Sequence, residues 1–335
     1  MGMKAQSAGS KPDLSVRLGS VMLRNPVMLA SGLAGYGEEL SGIIDLRQVG
    51  AVVTKTLTLK PCEGNPPPRL AEASSGLINS IGLANMGVHA FASGPLPRLK
   101  AIGTNLVVSV GGFSFLEYVR VAGVLEKAGG FAALELNVSC PNVSRGSAHF
   151  GSSPSKAARV VRGVRGVTGR PLIVKLTPNV TEISEVAKAC VAEGADALTV
   201  CNTFRALSID LNTRRPVLGG THGGLSGPAI KPLSLAKVWE VASAVDVPIV
   251  ACGGISSAAD ALEFIVAGAS AFQVGSALLQ DFRVPQLILD GLIQYCTDEG
   301  IDSLASVRGS LEIRHSAQRH PSTPRGERRK VKARV

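Results

Sequence analysis

Ala132-Ala133-Leu134-Glu135-Leu136-Asn137-Val138-Ser139-Cys140-Pro141-Asn142 is the stretch whose reading decides the fold. Its first five residues run like a buried strand broken by one Glu, and the composition then changes abruptly to Asn, Ser, Cys, Pro and Asn. A Gly/Ser-rich loop follows through Ser153. A strand that carries a thiol and two carboxamides to its C-terminal end is expected where a site is built on a parallel sheet or barrel. Cys140 can exchange a proton, and Asn137 and Asn142 can each donate and accept hydrogen bonds to a planar polar ligand. The competing reading is a buried structural cysteine beside a turn closed by Pro141. The thiol's position past the strand, among polar residues, favours the site.

Working outward, seven more short apolar runs of strand length accompany 132–136, at 26–30, 51–55, 106–110, 172–176, 197–201, 248–251 and 271–274. Helical spacing of apolar residues lies between most of them, at 115–128, 154–167, 183–193, 231–244, 257–267 and 285–299. Eight strand–helix alternations predict an α/β fold, a single (β/α)8 TIM barrel, more than an open doubly wound sheet. Two segments are too long for ordinary connections: 57–100, and 202–231 with Arg205, Asp210, Arg214, Arg215 and His222. They read as elaborated βα loops over the barrel mouth.

The chain of 335 residues has 45% hydrophobic and only 4% aromatic residues, so its core is aliphatic, as suits strands buried on both faces. No apolar run reaches the ~18 residues of a membrane span. The six cysteines are scattered without a C-x-x-C, which removes zinc-ribbon and ferredoxin-type ligand runs and predicts reduced thiols, a cytoplasmic location and no metal. The formal charge is +10, and nine Lys/Arg against two Glu between 308 and 335 account for +7 of it. The expected organisation is a disordered leader at 1–12, a barrel at 13–304 and a basic, disordered tail at 305–335. A nucleic-acid partner is not expected, because the basic tail lacks aromatics and an RNA-binding fold.

On a barrel, the residues just after each strand face the mouth. The runs end in turn at Ser31-Gly32, Lys55-Thr56, Ser109, Asn137 with Cys140, Lys175, Asn202-Thr203, Gly253-Gly254 and Gly275-Ser276. Glycine pairs after the seventh and eighth strands would expose backbone N–H groups at helix starts and hold a phosphate. There is no strand-linked G-x-G-x-x-G followed by an acidic residue, so a Rossmann site is not supported. Lys55 and Lys175 would balance negative charge on a ligand, and Asn79 is an amide in an otherwise apolar loop; a snorkelling lysine at a strand end is the bland alternative.

Together these residues resemble the dihydroorotate dehydrogenase family, flavin enzymes on a (β/α)8 barrel, from about residue 13 to residue 302. The motifs are Asn25-Pro26, Gly64-Asn65-Pro66-Pro67-Pro68-Arg69, Asn79-Ser80-Ile81-Gly82-Leu83, Asn137 to Asn142, Gly223-Gly224-Leu225-Ser226-Gly227-Pro228 and Gly253-Gly254-Ile255. The resemblance implies FMN, its phosphate at Gly253, Gly254, Gly275 and Ser276, and Ser31, Lys55, Thr56, Ser109, Asn137, Lys175, Val200 and Gly227 along the flavin. It implies orotate or dihydroorotate held by Lys55, Asn79, Ser80, Ile81, Gly82, Leu83, Asn137, Asn142, Asn202 and Thr203, with Cys140 as the base. The run after Cys140 and the segment 223–228 look like the type that works in pyrimidine biosynthesis with an electron-transfer subunit carrying FAD and a 2Fe–2S cluster, uses NAD, and has a homodimeric core. Members of this type commonly carry Asn where this chain has Ser109. The rival readings are a fumarate-linked dihydroorotate dehydrogenase, a dihydropyrimidine dehydrogenase-like uracil reductase, and an aldolase using Lys175 as a Schiff-base amine.

Overall fold

Eight parallel strands close on themselves: β1 (Val27–Leu29), β2 (Ala51–Val53), β3 (Asn105–Val110), β4 (Ala133–Asn137), β5 (Leu172–Lys175), β6 (Ala197–Val200), β7 (Ile249–Cys252) and β8 (Ala271–Val274), with β8 pairing back onto β1. The structure is a computed structural model in which residues 11–139 and 150–313 are described. The (β/α)8 barrel expected from the strand–helix alternation is therefore present.

Period-two alternation sorts each strand between two cores. Inward-facing Met28, Val53, Val107, Ala133, Ile173, Ala197, Val250 and Ala271 form one small apolar cluster with Leu18 and Leu23. Those two leucines come from a hairpin (Val16–Leu18 with Val21–Leu23) that the sequence pattern does not announce, and they plug the barrel at the N-terminal ends of its strands. Two residues further along the strands, the inward positions turn polar: Ser109, Glu135, Lys175, Thr199 and Gln273 are all buried. The outward positions, such as Leu134, Leu136, Val174, Val200 and Phe272, join the larger core beneath the helices.

The helices are α1 (Val88–Ser93), α2 (Pro95–Leu99), α3 (Phe115–Ala128), α4 (Pro154–Arg165), α5 (Ile183–Ala192), α6 (Lys231–Ala242), α7 (Ala258–Val266) and α8 (Val284–Asp298). Ser114 and Ser257 cap α3 and α7 by accepting hydrogen bonds from the N–H of Glu117 and Asp260. The alternation is imperfect at one place. Between β1 and β2 there are only turns and a 3-10 turn at Leu46–Gln48, because glycines at 32, 35 and 37 interrupt any helical run there.

The two long insertions do not lie separately over the barrel. Strands Phe204–Ala206, Gly223–Ser226, Gly76–Asn79 and Leu70–Ala73 form one antiparallel sheet in that order, so the loop after β2 is hydrogen-bonded to the loop after β6. The ends of the domain also meet: Asp13 N–H donates to Asp302 O at 2.8 Å, and Leu304 N–H donates to Asp13 O at 3.0 Å. Hydrogen bonding continues past residue 304, from Gly309 N–H to Ile265 O and from Leu311 N–H to Val266 O. Among the described residues, no helix is long and apolar enough to cross a membrane.

Candidate active site

The C-terminal ends of the strands open into two connected compartments. The larger, about 310 Å³, runs from Lys175 and Asn79 to Gly253, Gly254, Gly275 and Ser276. The smaller, about 200 Å³, is enclosed by Lys55, Thr56, Gly82, Leu83 and Asn137. Seven residues line both: Ser31, Gly32, Asn79, Ile81, Lys175, Asn202 and Thr203. Two ligands held there would meet along that shared wall.

Strand ends fix the polar groups of the smaller compartment through a continuous network. Asn137 Nδ2 donates to Thr56 Oγ1 at 3.2 Å, and its Oδ1 accepts from Ser139 Oγ at 2.9 Å and Asn202 Nδ2 at 3.3 Å. Asn202 Nδ2 also reaches Ser139 Oγ at 2.6 Å. Asn79 Nδ2 donates to Gly224 O at 3.0 Å, which ties the lid strand carrying Asn79 to the second insertion. Amides held in this way keep donors and acceptors aimed into a small space, which suits a planar polar ligand.

Beneath both compartments Lys175 is buried, and its Nζ donates to Gln273 Oε1 at 3.0 Å. Burial pulls its pKa down, but Cys252, Glu135 and Cys201 around it outweigh that, and the pKa stands above the ordinary lysine value. Burial in turn pushes the Cys252 thiol up, and Lys175 and Cys252 are neighbours in the same buried cluster as Glu135. The direction of that shift favours the protonated form of Lys175, which donates to Gln273. A Schiff-base amine needs a depressed pKa, and the shift at Lys175 runs in the opposite direction.

In the wall of the larger compartment, Gly254 has φ +78°, and a Cβ there would lie 2.6 Å from Lys231 Cβ and 2.7 Å from Lys231 N. This backbone leaves room only for glycine and presents bare N–H groups to the cleft. The glycine pair is not at a helix start as expected: α7 begins at Ala258, four residues later, and Gly275 leads into a 3-10 turn at Ser276–Leu279. The cradle of main-chain groups with Ser256 and Ser276, and the buried Lys175 lining the same cleft, fit a phosphate-bearing planar cofactor such as FMN.

Most of the site residues anticipated from sequence come together on these walls, Gly227 among them. Three do not line either compartment. Ser80 is buried and donates to His222 O, Ser109 lies beneath Thr56, and Val200 faces the helical layer. Cys140 and Asn142 lie outside the described residues. Sequence reasoning passed over Cys201, Cys252 and Gln273 around Lys175, although a lone Gln inside Ala271-Phe272-Gln273-Val274 is the same signal as Glu135 in its strand. Arg205 and His222 approach one another at 3.2 Å but stand apart from the compartments.

A family model described as Dihydroorotate dehydrogenase matches residues 13–295. A protein of Trichlorobacter lovleyi named "Dihydroorotate dehydrogenase B (NAD(+)), catalytic subunit" is 51% identical over 302 residues, covering 90% of this chain and 99% of that protein. A protein of the same name from Geotalea daltonii is 48% identical over 304 residues, covering 91% of this chain and all of the relative.

Proposed function

This chain belongs to the dihydroorotate dehydrogenase family, and on that premise we propose how its barrel carries out the reaction and where the electrons go. It is an FMN-dependent oxidoreductase that converts dihydroorotate to orotate in pyrimidine biosynthesis. The observation that carries the assignment of roles is the shared wall between the two compartments, which would bring substrate and cofactor face to face.

The smaller compartment takes the substrate. Lys55 faces its carboxylate, and Asn79, Asn137, Asn202, Thr203 and Asn142 pair with the amide edge of the pyrimidine ring. The strand and turn 79–83 lie over the substrate and exclude water. Cys140 removes the proton from C5, which is acidified by the neighbouring carbonyl. FMN, when bound, accepts the hydride that leaves C6. Lys175 balances the negative charge that arrives with that hydride, and the backbone at Gly253, Gly254, Gly275 and Ser276 holds the phosphate, with Ser31, Thr56 and Gly227 along the ring system. The FMN-binding unit spans residues 13–304.

The relatives' names, a catalytic subunit and NAD(+), support a second subunit as the route out for electrons. That partner would carry FAD and a 2Fe–2S cluster, docked on a homodimer of this chain in the cytoplasm. The purified chain should then oxidise dihydroorotate with an artificial dye but not with NAD or fumarate. Efficient NAD reduction by the chain alone would refute the two-subunit route, and efficient fumarate reduction would favour the single-subunit type.

A further inference from the structure

A charged group under a cofactor is useful only if something fixes its position without neutralising it. The centre of the barrel contains such an arrangement. Lys175 Nζ donates to Gln273 Oε1 at 3.0 Å, and Gln273 Nε2 donates to Glu135 Oε2 at 2.5 Å. Thr199 Oγ1 donates to the same carboxylate oxygen at 2.9 Å and lies 3.4 Å from Gln273 Nε2. All four residues are buried, and they come from four strands: β4, β5, β6 and β8.

The chemistry of the groups fixes their order. An ammonium only donates and a carboxylate only accepts, so an amide between them has one orientation, oxygen toward Lys175 and nitrogen toward Glu135. Glu135 and Lys175 therefore form no direct ion pair; Gln273 lies between them. A direct pair would cancel most of the field of the ammonium, whereas the amide spacer leaves Lys175 cationic toward the cleft it lines. Stability does not account for the cluster. Glu135 Oε1 is buried without a hydrogen-bond partner among the described residues, and an apolar set of similar volume would hold the barrel at least as well.

We propose that Gln273, locked by Glu135 and Thr199, is a positioning residue that holds the Lys175 ammonium at the floor of the cleft, out of a direct ion pair, and thereby sets the reduction potential of the flavin bound there. This rests on the reading above that Lys175 faces the flavin. Glu135 acts in the opposite sense, as a distant negative charge that moderates the cation.

The test is the midpoint potential of FMN bound to the purified full-length chain, by dye equilibration, in the parent, Lys175→Met, Gln273→Met and Glu135→Gln. Lys175→Met and Gln273→Met should both lower the potential, Gln273→Met by about tenfold in the ratio of reduced to oxidised flavin, or about 30 mV for a two-electron couple. Glu135→Gln keeps the acceptor oxygen but removes the charge, so it should raise the potential. A Gln273→Met potential within about twofold of the parent ratio, with Lys175→Met lowered, would overturn the inference alone, whatever Glu135→Gln does. An unchanged potential in Lys175→Met would instead overturn the reading on which it rests. Where Gln273→Met fails to retain FMN, the near-isosteric Glu135→Gln decides: an upward shift supports the relay, and no shift or a downward one overturns it.

Discussion

Thr56 Oγ1 and Ser109 Oγ lie 2.9 Å apart, and Ser109 N–H donates to Thr54 Oγ1 at 3.1 Å, so the hydroxyl at 109 supports the wall of the smaller compartment from behind. Thr56 keeps Asn137 Nδ2 and Ser31 Oγ as further partners when Ser109 is removed. Ser109→Ala should therefore cost about 1 kcal/mol of stability, the net worth of one buried hydrogen bond. FMN affinity, read by fluorescence quenching, should stay within about twofold of the parent. A large loss of FMN affinity with unchanged melting would mean that Ser109 touches the flavin directly.

Gly254→Asp should abolish FMN retention. The new Cβ meets the Lys231 backbone at 2.7 Å, φ +78° disfavours any side chain, and a carboxylate would stand beside the phosphate. The purified variant should be colourless while its circular dichroism keeps the barrel's signature. A full flavin spectrum from that variant would remove the phosphate assignment.

The buried thiols give a pH dependence with a definite sign. Burial pushes Cys190 and Cys201 up to about 12 from an ordinary 9.0. The folded state keeps these protons while the unfolded chain loses them, so their contribution is complete below the ordinary value and is lost as pH rises toward the folded value. Each thiol should cost about 2 kcal/mol between roughly pH 8 and 10.5. Urea midpoints for the parent and Cys190→Ala measure this: the variant is less stable near neutral pH but should lose about 2 kcal/mol less over that range. Parallel curves would show that Cys190 is not shielded from ionisation. Lys175, raised above the ordinary lysine value, behaves alike in sign, since its contribution is present below that value and fades only above it.

The barrel was legible because β-strand runs bounded by Gly, Pro and Asn recur at regular intervals, and each of the eight lies within a residue or two of its expected place. The sheet made by the two insertions was not legible. Its strands are two to four residues of ordinary composition, and contacts such as Ser226 Oγ to Leu77 O join residues 149 apart, for which there is no local signal. The absence of a helix after β1 agrees with the sequence, which offers no helical spacing between residues 30 and 51, where Gly32, Gly35 and Gly37 fall. In the site, residues at strand ends were found because their position follows from topology. Gln273 was missed because it lies inside a strand, where only its polarity among apolar neighbours marks it.

The central claim is that dihydroorotate delivers its electrons to FMN in this barrel with Cys140 taking the C5 proton. Anaerobic stopped-flow mixing of the FMN-loaded chain with dihydroorotate, in the parent and in Cys140→Ser, tests it most directly. In the parent the flavin absorbance should bleach, at a rate that rises with pH as the thiol becomes thiolate. In Cys140→Ser the rate near neutral pH should fall about 10²–10⁴-fold while orotate still binds through Lys55 and the carboxamides. Failure of dihydroorotate to bleach the parent, or a Cys140→Ser rate within about threefold of it, would contradict the account.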